Sequence, residues 1–175
     1  MTTRSSSSTN KSKRSGSKKA GSGARKGRPL TLCEALEKAA KGLRYTSESD
    51  YPYQFFTLPA EGDDDLTPQG FLNRIGLSQE LIDELNLPLE RLVEERAFDD
   101  FFPSADDLAG YHGTDTSDPE VVAESKRYRK LEAVLRKRLR GVKVLRVGQV
   151  EIRCYVAGLD ARGYIAGLVT TAVET

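Results

Sequence analysis

The spacing of apolar residues changes at Gly141, and this change limits how the 175-residue chain can fold more than any other feature. Before Gly141, the pair Asp118-Pro119 is typical of a helix start, and apolar residues then recur at helical spacing over residues 121–139. After Gly141 the period becomes two, which is typical of half-buried strands. A chain that passes from a long amphipathic helix into successive strands predicts an α+β fold.

Three strands are predicted after this helix, arranged as an antiparallel meander. They cover residues 143–147, 150–157 and 164–173, and Gly148-Gln149 is typical of a two-residue hairpin turn. The alternation in the second strand predicts a set of residues that share one face: Val150, Ile152, Cys154 and Val156.

The first part of the folded region has shorter signals. Thr31 and Glu34 form a capping-box pattern, which predicts a helix that ends at Gly42. Residues 45–50 are polar and turn-like, and the aromatic-rich residues 51–58 predict one strand.

The middle of the chain is less regular. Short helices are predicted to begin near Thr67, Ser78 and Pro88, and residues 103–118 are predicted to form a loop. The element order predicts an α-β-α sandwich, with a small, largely antiparallel sheet and helices on its faces.

Charge is strongly segregated along the chain. Residues 1–30 contain nine Lys/Arg and no acid, so residues 31–175 hold 27 − 9 = 18 basic residues against 26 acidic ones, a net charge of −8. Residues 1–30 are also rich in Ser and Gly and poor in apolar residues, which predicts a disordered tail followed by one domain over residues 31–175. The tail is either an arm for nucleic acid or another anionic surface, or a solubilising extension. In the first case its contacts would come from Lys11, Lys13, Arg14, Lys18, Lys19, Arg25, Lys26 and Arg28.

Composition also bears on compartment and cofactors. The chain has no run of 18 apolar residues and no secretory signal pattern, so we expect a cytoplasmic protein without a membrane anchor; the Ser-rich basic start also leaves a transit peptide open. Cys33 and Cys154 are predicted to be buried free thiols. With the lone His112 they give no metal-ligand spacing, so we expect neither a cofactor nor a metal site of the protein's own.

No catalytic arrangement is evident in the sequence. It contains neither a nucleophile elbow nor a phosphate-binding loop nor a dinucleotide fingerprint, and its acidic clusters lack the EF-hand spacing. The sequence therefore predicts a protein that is not an enzyme.

Two stretches resemble a known family. Residues 43–53 (LRYTSESDYPY) are similar to the "SESEYPF" region of the nuclease A inhibitor family, and the RVGQVEI hairpin and terminal VET are similar to that family's end. The resemblance covers residues 31–175 and is weaker over residues 60–118. It implies an α/β sandwich that binds one-to-one, as a monomer, to a metal-dependent, sugar-non-specific DNA/RNA endonuclease of the ββα-metal type. The inhibitor would occupy the enzyme's nucleic-acid cleft as an acidic plug.

The resemblance also implies which residues touch the nuclease. Glu48 would approach the partner's Mg²⁺ region together with Thr175, the latter through its α-carboxylate and hydroxyl, so that residues added after Thr175 would weaken inhibition. Ser47 and Ser49 either orient Glu48 or only form a turn. Glu174, which precedes Thr175, is a further candidate contact. The alternative for Glu48 is that it only caps a loop or keeps it solvated. The chain departs from the family in its basic tail, in a longer 103–118 segment and in having no Trp; Tyr111 is the nearest aromatic replacement.

The residues themselves agree with this interpretation. A nuclease cleft is basic because it binds phosphates, and a body with a net charge of −8 would be steered towards it. If the last strand pairs antiparallel with residues 53–58, Glu48 and Thr175 should converge at one edge of the sheet. The alternative is a nucleic-acid-associated adaptor that uses the basic tail.

Overall fold

The computed structural model describes residues 28–61, 63–77, 83 and 88–175. The predicted tail up to residue 27 lies outside the described residues, as does the helix start predicted at Ser78.

The centre of the molecule is a five-stranded sheet whose neighbouring strands are all antiparallel. Its strands lie in the order β3-β7-β6-β5-β4, and β1 and β2 form a separate hairpin beside it. The strands are β1 Arg44–Thr46, β2 Asp50–Pro52, β3 Gln54–Leu58, β4 Val93–Arg96, β5 Arg140–Val147, β6 Glu151–Leu159 and β7 Ile165–Val173.

Helices flank the sheet, and their ends carry the predicted caps. The helices are α1 Leu32–Ala40, α2 Pro68–Arg74, α3 Leu89–Leu92, α4 Ala105–His112 and α5 Pro119–Arg138. The Thr31 hydroxyl accepts a hydrogen bond from the Glu34 backbone N–H at 3.2 Å, and Glu34 Oε2 accepts one from the Thr31 backbone N–H at 2.8 Å. Asp118 caps α5 through the Glu120 N–H at 2.8 Å. These bonds satisfy backbone donors that the first helical turn leaves free.

A hydrophobic core lies on each face of the sheet. On one face, α1 and α5 contribute Leu36 and Leu131, which pack with Val156 from the sheet. On the other, Phe71 from α2 packs with Leu145 from the sheet. Alternate residues of β5 and β6 therefore face opposite helical layers, which confirms the mixed α+β class and the α-β-α arrangement.

The prediction of a loop over residues 103–118 was wrong, because α4 lies within it. Ser104 and Asp107 form a complete capping box, with the Asp107 N–H donating to the Ser104 hydroxyl at 3.1 Å. Gly113 ends the helix with φ +64°, a left-handed conformation that glycine adopts without strain.

Two further assignments need correction. Residues 51–58 form two strands, because the chain changes partner at the buried Tyr53: β2 pairs with β1, whereas β3 pairs with β7. The helix predicted from Pro88 is only the single turn α3, after which Val93 begins β4 and pairs with Val147 of β5.

The β5–β6 connection is longer than the two-residue turn predicted from Gly148-Gln149. Val147 pairs with Arg153, so Val150 belongs to the turn; it is 58% exposed and does not share the buried face of Cys154. Both cysteines are free, but only Cys154 is buried as predicted, since Cys33 is partly exposed. None of the helices in the described part of the chain is long and apolar enough to cross a membrane.

Candidate functional site

The pairing of β3 with β7 brings the residues around Glu48 to the end of the chain. Gln54 pairs with Val169, so β7 continues past the start of β3 and runs alongside the β1–β2 hairpin. The Thr170 hydroxyl donates a hydrogen bond to the Tyr51 carbonyl oxygen at 3.3 Å. The predicted antiparallel pairing and the convergence of Glu48 with Thr175 are therefore confirmed as geometry.

Glu48 holds Thr175 directly. Its Oε1 atom accepts hydrogen bonds from the Thr175 backbone N–H at 3.1 Å and from the Thr175 hydroxyl at 2.8 Å. The Glu48 backbone N–H in turn donates to the Val173 carbonyl at 3.3 Å. Both Glu48 and Thr175 are exposed, so this arrangement presents a carboxylate and a hydroxyl, both oriented, at one surface.

Ser47 connects the turn that carries Glu48 to β7. Its hydroxyl accepts a hydrogen bond from the Val173 N–H at 3.0 Å and donates one to the Ser49 carbonyl at 3.0 Å. The serine therefore closes the tight 47–49 turn and fastens it to β7 at the same time. The Ser47 hydroxyl therefore acts as donor and acceptor at once, which fixes the position of the turn that carries Glu48.

Glu174 points to a different partner, a buried arginine that the sequence analysis did not single out. Arg146 of β5 is only 3% exposed, and it forms ion pairs with Glu174 and with Glu94 of β4, the second at 2.9 Å. Arg96 extends the group by donating from Nε to Glu94 at 2.7 Å. The Arg146 Nε atom is buried without a hydrogen-bond partner in the structure.

The ionisation of these groups follows from their contacts. The hydrogen bond from Arg146 holds the pKa of Glu174 below its usual value, and the hydrogen bond from Arg96 does the same for Glu94. Burial opposes charge on Arg146, but its hydrogen bond to Glu174 and the nearby negative charge favour the charged form and raise the pKa of the guanidinium. The group is therefore fully charged at neutral pH.

The position of Arg146 in the sequence indicates that its side chain is buried. It alternates with Val144 on β5, and Val144 faces the core that α1 and α5 cover. It also lies opposite Cys154 in the neighbouring strand. A basic residue at an inward-facing strand position needs acidic partners, and Glu94 and Glu174 were available.

Tyr111 lies on α4, beside the hairpin and outside the Glu48–Thr175 contacts. Its side chain is 57% exposed and lines a cavity of about 190 Å³ together with Thr46, the residue before Ser47. Beneath it, Tyr45 stacks on Phe101 with ring centroids 5.1 Å apart. The hairpin that carries Glu48 is therefore supported by an aromatic pair and flanked by an exposed tyrosine.

The other predicted contact residues fall elsewhere. Of the eight basic residues proposed for nucleic acid, only Arg28 is described, and it forms an exposed ion pair with Glu34 at 2.8 Å. Within residues 28–61, 63–77, 83 and 88–175, no group of three or more His, Cys, Asp or Glu side chains is placed to hold a metal ion.

With this geometry established, comparison with known proteins gives a family. Residues 31–175 match the sequence model of NuiA, described as nuclease A inhibitor-like protein. The chain belongs to the nuclease A inhibitor-like family. A search of curated proteins found no match. Membership in this family supports a nuclease-inhibitor role, with a nuclease as the partner.

Proposed function

We propose that this protein inhibits a metal-dependent, sugar-non-specific nuclease of the ββα-metal type by inserting the edge that carries Glu48 and Thr175 into its nucleic-acid cleft. The observation that carries the proposal is the pair of hydrogen bonds from Thr175 to Glu48 Oε1 at 3.1 and 2.8 Å. They fix two oxygen groups on an exposed edge in a protein of an inhibitor family.

The chemistry of this edge suits such a cleft. Carboxylate and hydroxyl oxygens are hard donors that match Mg²⁺ and its bound waters. Glu48 Oε1 is engaged by Thr175, so the exposed carboxylate can present its second oxygen to the partner without losing its internal contacts. The body's net charge of −8 favours approach to a basic surface.

Pre-organisation is the second part of the mechanism. A loose surface segment must be ordered on binding, which would weaken the complex. Here the Ser47 and Glu48 side chains bond to the backbone N–H groups of Val173 and Thr175, and Arg146 holds Glu174 between them. We expect binding to immobilise few additional side chains.

Tyr111 is proposed as the aromatic contact next to this edge. An exposed tyrosine provides a large, rigid contact area with a polar tip, and such residues often dominate interfaces. Its position next to Thr46 allows Tyr111 and Glu48 to touch the same partner. We propose a one-to-one complex between one inhibitor and one nuclease.

The test is a titration of a purified Mg²⁺-dependent ββα-metal nuclease with the full chain and with Glu48→Gln. The amide keeps an oxygen that can accept from Thr175 but removes the charge, so we expect inhibition at one-to-one by the natural protein and at least about tenfold weaker inhibition by the variant. Glu37→Gln removes the same charge from an exposed position on α1 and should inhibit like the natural protein. Equal inhibition by both variants would refute the role of Glu48, and no inhibition by any form would refute the proposed function.

A further inference from the structure

The β5–β6 turn lies at the same end of the sheet as the turn that carries Glu48. Glu151, the first residue of β6, pairs with Val173, and the Glu174 N–H donates a hydrogen bond to the Val150 carbonyl at 3.0 Å. On the other side of β7, the Glu48 backbone N–H donates to the Val173 carbonyl at 3.3 Å. Val173 and Glu174 are therefore held between two turns, one that carries Glu48 and one that carries Val150.

The backbone of the β5–β6 turn is fixed, and the turn leaves the Val150 side chain in solvent. Gly148 has φ +115°, and its N–H donates to the carbonyl of Leu92, the last residue of α3, at 3.1 Å. A Cβ on Gly148 would lie 2.5 Å from the Glu151 carbonyl oxygen, so the turn requires glycine at this position. At 58%, Val150 is the most exposed large apolar residue in the described part of the chain. Because the turn is already ordered, burying Val150 against a partner would immobilise little additional structure.

The charges beside the β5–β6 turn balance one another. A cavity of about 470 Å³ next to the turn is lined by three arginines and three glutamates: Arg91, Arg96, Arg146, Glu90, Glu94 and Glu174. Arg146 forms ion pairs with both Glu94 and Glu174, so these opposite charges are in direct contact. This half of the surface therefore presents an apolar side chain and little net charge to a partner.

The half of the surface around Glu48 has a different character. The Glu48 carboxylate accepts hydrogen bonds from two neutral groups, the Thr175 N–H and the Thr175 hydroxyl, which leave its negative charge in place. A negative charge suits the basic floor of a nucleic-acid cleft. An apolar side chain beside balanced charges instead suits an uncharged surface, because an unpaired charge buried against it would be costly. The two halves therefore require two different surfaces of one partner.

We propose that Val150 packs against an uncharged, apolar patch on the wall of the nuclease cleft and thereby fixes the orientation of the inhibitor. This inference rests on the proposed function and extends its interface across the β5–β6 turn. With Glu48 facing the metal region, the β5–β6 turn faces the wall beside it. A nuclease with a charged residue at this wall would bind poorly, so Val150 determines which nucleases the protein recognises.

The experiment measures binding of the full chain to a purified Mg²⁺-dependent ββα-metal nuclease by isothermal titration calorimetry, at about 50 and about 300 mM salt. Val150→Ser removes the apolar groups without adding charge. Val150→Asp adds a negative charge, which would favour approach to a basic cleft if the turn lay outside the interface. The control, Leu30→Asp, adds the same charge at an apolar residue that is 42% exposed. Leu30 precedes Thr31, which borders a cavity with Asp160 at the other end of the sheet.

We expect Val150→Ser to weaken binding at least about fivefold and Val150→Asp at least about fiftyfold, whereas Leu30→Asp should change it less than about twofold. The loss caused by Val150→Ser should be the same at both salt concentrations, because salt does not screen an apolar contact, whereas the loss caused by Glu48→Gln should shrink at the higher one. The urea midpoints of the two Val150 variants should equal that of the natural protein, since the side chain is exposed.

Binding of Val150→Asp that is as tight as that of the natural protein, or tighter, would overturn this inference. If Glu48→Gln still weakened binding in that case, the proposed inhibition would stand and only the contact through Val150 would be refuted. A loss on Val150→Ser that shrank with salt as much as the loss on Glu48→Gln would also overturn the apolar contact. Absence of binding by the natural protein would refute the proposed function and this inference together.

Discussion

Replacement of Arg146 by methionine tests whether the buried guanidinium holds Glu174 in place. Methionine keeps most of the side-chain volume inside the sheet but removes the ion pairs to Glu94 and Glu174. Breaking a buried ion pair by removing one partner costs about 3–5 kcal/mol. The two carboxylates are about half exposed, 48% and 47%, so water can solvate them after the change. We therefore expect Arg146→Met to lower the free energy of unfolding by about 2 kcal/mol at pH 7.

The assay is urea denaturation followed by far-UV circular dichroism, because the chain has no tryptophan. Arg153→Met is the matched control: this arginine is exposed on the adjacent strand, and the change should stay within about 0.5 kcal/mol. In a Glu174→Gln background, Arg146→Met should cost about 1 kcal/mol less, since the neutral amide depends less on the guanidinium.

The pH dependence of this effect has a definite sign. The pKa of Glu174 is lowered in the folded protein, so its contribution to stability is present above its ordinary pKa of 4.5 and is lost as the pH falls below that value. The destabilisation caused by Arg146→Met should therefore shrink from pH 7 towards pH 3. An unfolding free energy unchanged within 0.5 kcal/mol at pH 7, or a cost that grows on acidification, would refute the reasoning.

Two other features give further predictions. Gly167→Ala should destabilise the protein by more than about 3 kcal/mol, because a Cβ at this position would lie 1.8 Å from the Val156 carbonyl oxygen. Gly110→Ala on α4 should stabilise the protein by about 0.5–1 kcal/mol, because a Cβ there would meet no atom within 4 Å. Thermal melts of both variants test these two predictions. The hydrogen bond to Glu124 raises the pKa of His112, so its small stabilising contribution should be complete below pH 6.5 and disappear as the pH rises through the raised pKa. NMR titration should find the imidazole pKa above 6.5 and closer to that value in Glu124→Gln; an imidazole pKa that Glu124→Gln leaves unchanged would contradict this cause.

Regular local signals were sufficient to predict much of this fold. The Asp118 cap and the helical spacing after it predicted α5, and the alternation after Gly141 predicted most of the last three strands. Strand β4 was missed because only Val93 of its four residues is buried, and Leu89, Leu92 and Val93 also fit a helical period. Helix α4 was missed although its capping signal at Ser104 is readable.

The contacts of the candidate site were likewise predictable from the sequence only in part. Glu48 and Thr175 could be brought together from the expected pairing of the last strand with residues 53–58, because that pairing fixes where each end lies. The contact of Arg146 with Glu94 could not be predicted, since it depends on β4 lying next to β5, and β4 was not recognised as a strand. Position along a known strand is readable from sequence, whereas contacts between distant strands require the sheet order.

The sheet order also bears on how the protein is made. Strand β7 lies between β3 and β6, so β3 has no partner in the sheet until the segment that contains residues 165–173 has emerged from the ribosome. Such distant pairings form late and slowly. The turn that carries Glu48 fastens onto Val173, so the proposed inhibitory edge cannot form until that strand has been synthesised. A nascent or truncated chain that lacks residues 165–173 would thus be unable to form the edge with which we propose it engages a nuclease.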